Sequence, residues 1–168
     1  LAIRGMLHFD LMRLYGYGNL ANRTDKSTRL TIPYVTDYDK EMTLQQTYDK
    51  TIELVIKDLT DALELLDDEP ITGKHPEDYY DALNDDGFFN DRTFRLNYFA
   101  VKALLARMYM WEGSNASIAL ARQEALDVIR EGERLGLYQW ITTDVEEKKQ
   151  AIEQILSNRA QDATVVVT

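Results

Sequence analysis

Carboxylates, rather than histidines or thiols, dominate the groups of this chain that could do chemistry. Its 168 residues hold 29 Asp and Glu against 19 Lys and Arg, with two His and no Cys. Without Cys there is no thiolate nucleophile, thiolate metal site or disulfide. His8 and His75 stand far apart in sequence. His8 has Arg4, Asp10 and Arg13 as helical neighbours, and a histidine so placed is more often a satisfied, partly buried group than a proton carrier. No Gly-x-Ser-x-Gly elbow, His-Glu-x-x-His pair or phosphate-cradling Gly-x-x-x-x-Gly-Lys loop occurs. Pairs of acids abound, but among 29 carboxylates they do not single out a glycosidase couple. The residues therefore nominate no catalytic group, no cofactor and no metal.

Two stretches imitate ligand-binding motifs. Gly16-Tyr17-Gly18-Asn19-Leu20-Ala21 fits the dinucleotide fingerprint in letters. That fingerprint needs a strand before it and a helix after it, so that the helix N-terminus meets pyrophosphate. Here a helical pattern precedes and polar sequence follows, so the reading is a helix end with a left-handed glycine. Asn84-Asp85-Asp86-Gly87 imitates a calcium loop. With Gly87 at loop position 6, positions 1 and 12 fall on Ala82 and Thr93, which cannot ligate as carboxylates. An irregular calcium site among Asp81, Asp85, Asp86 and Asp91 stays open beside the commoner reading, a solvated turn.

Aromatic residues in loops form the remaining candidates. Tyr79, Tyr80, Phe88 and Phe89 lie in the Asp-rich stretch 68–93, and Tyr17, Tyr34 and Tyr38 lie in 17–45. Such rings can stack on the apolar faces of sugars while Asp and Asn meet hydroxyls. They can equally clamp long loops onto helices, which long ordered loops require, and that is the stronger reading. Trp111 and Trp140 read as packing residues rather than ligand platforms. The ligand-binding residues stay unassigned.

The elements that would position these groups are helical. Residues 1–15 carry Ile3, Leu7, Leu11 and Leu14 at spacings of four, four and three, widened by Met6, Phe9 and Tyr15. Residues 46–66 follow a Thr43–Gln46 capping box and place Tyr48, Ile52, Val55, Leu59 and Ala62 on one face. Residues 95–112 align Tyr98, Val101, Leu105 and Met108 before Gly113. Residues 116–134 align Ile118, Ala121, Ala125 and Val128, and 144–157 follow a Thr143–Glu146 box. Pro33, Pro70 and Pro76 all fall between these segments. Ile32-Pro33-Tyr34-Val35 reads as extended, yet no alternation of period two persists, so the fold class is all-α. The short link Gly113-Ser114-Asn115 makes the third and fourth helices antiparallel neighbours. With Ala103, Ala106, Ala119, Ala121 and Ala125 expected on their inner faces, they resemble a loose tetratricopeptide-type pair of the 34-residue class. The expected architecture is antiparallel helical hairpins of that kind with long irregular connecting loops.

A net charge of −10 and a pI near 4.7 argue against nucleic acid as partner and against electrostatic attachment to anionic lipid. No apolar run approaches the roughly 20 residues of a membrane span. The chain opens directly in an amphipathic pattern at Leu1-Ala2-Ile3-Arg4 and stops in the apolar run Val165-Val166-Val167-Thr168. Both ends are expected to be truncations, with residues 1–168 forming one helical scaffold portion of a longer protein. On that expectation the missing export signal carries no weight.

Four stretches, in order, resemble one family. Arg4 to Gly16 is similar to the "R-A-x-x-x-F-D-L-x-R-L-Y-G" helix of the SusD/RagB family, with Gly5 where the family usually has Ala. Ile32-Pro33 resembles the strand that follows. Tyr48-Asp49, Asp58-Leu59, Ala62 and Leu65-Leu66 resemble its "Y-D-x-I-x-x-D-L-x-x-A-x-x-L-L" helix. Ala100 to Trp111 resembles "A-x-x-A-L-L-A-R-x-Y-L-W". The gap between Gly16 and Ile32 is longer than in many members. The resemblance implies a lipid-anchored, non-enzymatic protein on the outer face of the outer membrane of Bacteroidetes-type bacteria. Such proteins capture glycans, or in some cases peptides, and pass them to a SusC-like TonB-dependent transporter. It implies that ligand contacts come mainly from chain before and after this region, and that the membrane is met only through a lipid anchor preceding Leu1. The alternative, from composition and hairpin alone, is an intracellular tetratricopeptide-type adaptor for protein–protein interaction. That reading expects further 34-residue repeats and a groove with clustered Lys or Asn.

Overall fold

Helix caps set where the elements begin. In the computed structural model, which describes residues 1–38, 40–137, 146, 149, 150, 152 and 153, five helices form among the described residues. They are α1 (Ala2–Tyr15), α2 (Tyr48–Leu66), α3 (Glu77–Asp81), α4 (Tyr98–Glu112) and α5 (Asn115–Arg134). The side chains of Thr47, Asn97 and Ser114 accept from the amides of Lys50, Ala100 and Ser117, so each satisfies one orphan donor of its helix. Strands β1 (Leu30–Pro33) and β2 (Gln45–Thr47) pair antiparallel, Leu30 opposite Thr47 and Pro33 opposite Gln45. The chain divides into two units, Leu1–Leu135 and Gly136–Thr168. In the second, Glu146, Lys149, Gln150, Ile152 and Glu153 are helical, and the rest of the expected 144–157 helix lies outside the described residues, as does Trp140.

The fold is predominantly helical, as the periodicity indicates, with differences that have physical causes. The Thr43–Gln46 box does not cap α2. Residues 45–47 are drawn into pairing with β1, so the helix starts at Tyr48 and Thr47 takes the cap. The third helix starts at Tyr98 rather than Arg95, because Asn97 is extended and spends its side chain as the cap. The 68–93 stretch is not wholly irregular: it holds α3 and the 3-10 turns Pro70–Thr72 and Arg92–Phe94.

Helix α2 lies between α1 and α4, and α5 packs on α4. The core joins Phe9 and Met12 of α1, Tyr48, Val55 and Leu59 of α2, Val101, Leu105 and Met108 of α4, and Leu20 and Ile32. Helices α4 and α5 run antiparallel. Lys102, near the start of α4, donates to Glu124 at 2.8 Å and Asp127 at 3.1 Å, while the Ser114 amide meets Glu112 at the turn. Ala106 and Ala121 are buried at this crossing and Ala125 is half-buried. Ala103 and Ala119 are exposed, Ala103 lying off the α4 row that carries Val101, Leu105 and Met108 and Ala119 off the α5 row of Ala121 and Ala125.

Helix α1 turns a face inward that its apolar spacing does not single out. It buries Gly5, His8, Phe9 and Met12, whereas Ile3, Leu7, Leu11 and Leu14 are exposed, Leu14 by 74%. The helix is apolar on two sides, so periodicity alone does not choose its roll. Polar contacts choose it. Arg4 grips Asp58 of α2 through Nε and Nη2, both at 2.6 Å. His8 Nδ1 is 2.8 Å from the Arg4 carbonyl, and its Nε2 accepts from the Val35 amide at 2.9 Å, a pairing that places the proton on Nδ1. The helix end also differs from a left-handed glycine cap. Gly16 is extended, at φ −95° and ψ −173°. Glycine fits there by close approach: a Cβ would collide with the Met12 carbonyl oxygen and sit 2.8 Å from the Tyr48 hydroxyl. That hydroxyl accepts from the Tyr17 amide, so the Gly-x-Gly stretch serves helix termination and chain reversal.

Candidate functional site

The stretch between α2 and α4 is held at both ends by one buried ion pair. Glu69, 2% exposed, receives Arg92 Nε at 2.6 Å and also accepts from the Tyr98 amide. Arg92, 7% exposed, reaches the Leu96 carbonyl through Nη2, and its own carbonyl accepts from Asn97. A buried charge is tolerable only with its full set of partners, and here both ions have them. This clasp was not legible in the sequence, since neither residue belongs to a chemical motif and they stand 23 positions apart.

The clasp presents an aromatic run. His75 and Tyr79 lie 4.1 Å apart at 31°, Tyr79 meets Tyr80 edge-on at 5.2 Å, Tyr80 meets Phe89 at 5.6 Å, and Phe89 meets Phe88 at 5.4 Å. These are the offset and edge-to-face arrangements that ring quadrupoles favour. Arg92 sits 4.9 Å over the Phe88 ring. The four aromatics singled out in 68–93 thus come together, and His75, read as an isolated histidine, joins them. Tyr80 is buried and directs its hydroxyl at Asp68, 3.3 Å away; burial and that carboxylate push the phenol above its ordinary range. Tyr80 and Phe89 therefore act as loop clamps. Tyr79 and Phe88 keep 40% and 48% of their surface open, enough to offer a ring face.

Beside α3 a groove of about 420 Å³ is lined by His75, Glu77, Tyr80, Asp81, Asn84 and Phe89 among others. An apolar ring edge flanked by carboxylates and amides suits a polyhydroxylated ligand, which has apolar CH faces and hydroxyls in the ring plane. The acidic turn at its edge is built for its own backbone. Asn84 Oδ1 accepts from the Phe89 amide at 2.8 Å and Asp86 Oδ1 from the Phe88 amide at 3.0 Å, while Asn84 Nδ2 donates to Asn90. No group of three or more His, Cys, Asp or Glu converges as a metal site among the described residues.

The aromatics of 17–45 do not assemble into a site. Tyr34 is buried, stacks on His8 at 4.0 Å and donates to Asp58 at 2.6 Å. Tyr17 has the guanidinium groups of Arg29 and Arg23 over its ring, at 4.4 Å and 4.9 Å. Tyr38 projects freely into solvent. Trp111 packs edge-on against Phe9 at 5.9 Å, the packing role read for it. Among the described residues no helix is long and apolar enough to cross a membrane.

Comparison with known proteins adds one finding to this geometry. Residues 1–110 match the model of a SusD-like family described as starch-binding associating with outer membrane. No curated protein matches the chain.

Proposed function

The chain belongs to the SusD-like family, and from that premise we propose that it is the helical scaffold of a surface glycan-binding lipoprotein. The coarse function, starch or glycan binding associated with the outer membrane, comes with the family. Its finer form is our reading. The protein sits on the extracellular face through a lipid anchor outside this segment, captures oligosaccharides and delivers them to a SusC-like TonB-dependent transporter. It works by binding and performs no covalent chemistry. The carrying observation is that the matched residues 1–110 run through α1, β1, α2 and most of α4, so the family pattern coincides with the packed elements. On this reading α4 and α5 are a tetratricopeptide-type hairpin that gives a rigid platform, and most ligand contacts lie in chain beyond residues 1–168.

The test is affinity electrophoresis of the full-length protein in gels containing starch or other polysaccharides, with co-purification from outer membranes as a second readout. Retardation by at least one glycan, together with a co-purifying TonB-dependent transporter, is the expected result. A protein that no glycan retards and that brings down no transporter overturns the reading.

A further inference from the structure

Helix α1 buries His8 to 8% exposure, and the two ring nitrogens face partners of opposite kind. Nδ1 lies 2.8 Å from the Arg4 carbonyl, which can only accept, and Nε2 lies 2.9 Å from the Val35 amide, which can only donate. A neutral imidazole answers both. An imidazolium carries a proton on each nitrogen and answers only the carbonyl. The ring also stacks on Tyr34 at 4.0 Å and 23°. Tyr34 is fixed independently of that stack, because its hydroxyl donates to Asp58 at 2.6 Å. Val35 thus marks the point where the chain leaves a buried anchor for the connection between β1 and β2, in which Tyr38, Met42 and Leu44 are strongly exposed. Beyond Val35, the Thr36 carbonyl accepts from Arg4 Nη1 at 3.2 Å, at the surface.

We propose that His8 is a proton-operated latch: protonation of its ring releases the β1–β2 connection from Val35 onward, with Tyr34 as the hinge and the helices in place. Histidine suits the task, since it is the side chain that ordinarily changes charge between about pH 5 and 8. The groups around the ring set the direction. They are Arg4 from α1, Asp58 from α2, and Tyr34 and Asp37 from the chain after β1. Arg4 opposes a second positive charge and Asp58 favours one, but these two are already joined as a pair, and Asp37 acts on the same guanidinium. The Tyr34 ring face attracts a cation too, yet it does so whether or not Val35 is held, because its own anchor is Asp58. The contact that changes sign on protonation is the one to Val35. Two donors would face each other at 2.9 Å, and a buried donor pair without an acceptor must part. The released connection therefore binds one proton more than the latched one. The latch is closed at neutral pH and opens as pH falls.

The test is amide hydrogen exchange followed by NMR on the full chain, isotopically labelled at valine and histidine, from about pH 8 down to about pH 5. Each exchange rate is divided by the intrinsic rate at that pH, and the ring signals missing from His8→Gln identify His8 and report its protonation. Protection of the Val35 amide is expected to fall by up to about tenfold per pH unit as the His8 ring protonates. Val55 and Val101, fully buried on α2 and α4, keep theirs over the same range. The variant His8→Gln cannot titrate there, so its Val35 protection is expected to be independent of pH. Val35 protection that holds while His8 protonates overturns the proposal, as does a fall that His8→Gln reproduces or that Val55 and Val101 share. A ring that stays neutral down to about pH 5 equally overturns it.

Discussion

Asp58 shows how a single side chain can fix the geometry of three segments. It accepts both Arg4 nitrogens and the Tyr34 hydroxyl, which joins α2 to α1 and to the chain leaving β1. Burial by itself would raise its carboxyl, but the hydrogen bonds from Arg4 and Tyr34 outweigh that and hold it below the usual carboxylate range. Replacing it by Asn leaves the Arg4 charge partly buried without its partner. Because the Arg4 side chain keeps 30% of its surface in water, the cost falls below that of a fully buried pair, at about 2–3 kcal/mol. For a chain of this size that is a drop of roughly 5–10 °C in Tm. Tyr34→Phe removes one hydroxyl and costs about 1 kcal/mol. Thermal unfolding followed by circular dichroism checks both, and an Asp58→Asn protein that melts with the wild type would remove Asp58 from this role. The sequence displayed Arg4 and Asp58 as members of two separate motifs. It could not display that they meet, because a contact over 54 positions is a property of packing rather than of spacing.

At the scale of elements, the α4–α5 turn illustrates a carboxylate serving two helices. Glu112 ends α4, where the helix dipole disfavours negative charge. It nevertheless lies beside the start of α5, accepting from the Ser114 amide at 2.9 Å, and it receives Lys26 at 2.8 Å from the chain between α1 and β1. Burial opposes ionisation, but the hydrogen bonds from Lys26 and Ser114 win and bring the carboxyl down to about 2 from its ordinary 4.5. A carboxyl lowered on folding stabilises the folded state above its unfolded value and loses that contribution as acid protonates it. The contribution is therefore complete above about pH 5 and fades between about 4.5 and about 2. Glu112→Gln is expected to lower Tm at neutral pH, and the gap to wild type to close on acidification to pH 2. A gap that stays constant with pH would exclude this titration. The hairpin itself was legible, because Gly113 at φ +78° is the left-handed cap its position suggests, with space for little else: a Cβ there would sit 3.0 Å from the Ala21 Cβ. The roll of α1 was not legible, because Ile3-Leu7-Leu11-Leu14 is as regular a stripe as the face that is buried.

For the molecule as a whole, order and spacing of motifs carried more information than composition. A charge of −10 excludes partners but names none, whereas four helical and extended stretches in sequence point to one family. The fold class, the four long helices and the central core residues of α2 and α4 follow from the apolar period and from the Gly and Pro positions between segments. The aromatic run beside α3 was visible as a set of residues, but its division into clamps (Tyr80, Phe89) and open faces (Tyr79, Phe88) depends on burial, which spacing does not encode. Two open rings and an edge make a small platform. Residues 1–168 alone are accordingly expected to bind oligosaccharides weakly or not at all in calorimetric titration. Tight binding abolished by Tyr79→Ala/Phe88→Ala would move the principal site to these two open rings.

The Glu69–Arg92 clasp has a consequence for engineering and for divergence. By joining positions 69 and 92 it closes a ring whose interior bears no part of the α1–α2–α4 core, so the clasp works as the socket of a cassette. Lengthening the closed segment costs little, since closure entropy rises only slowly with loop length. Exchanged at those two residues, the segment could receive another loop while the helices beneath it keep their places.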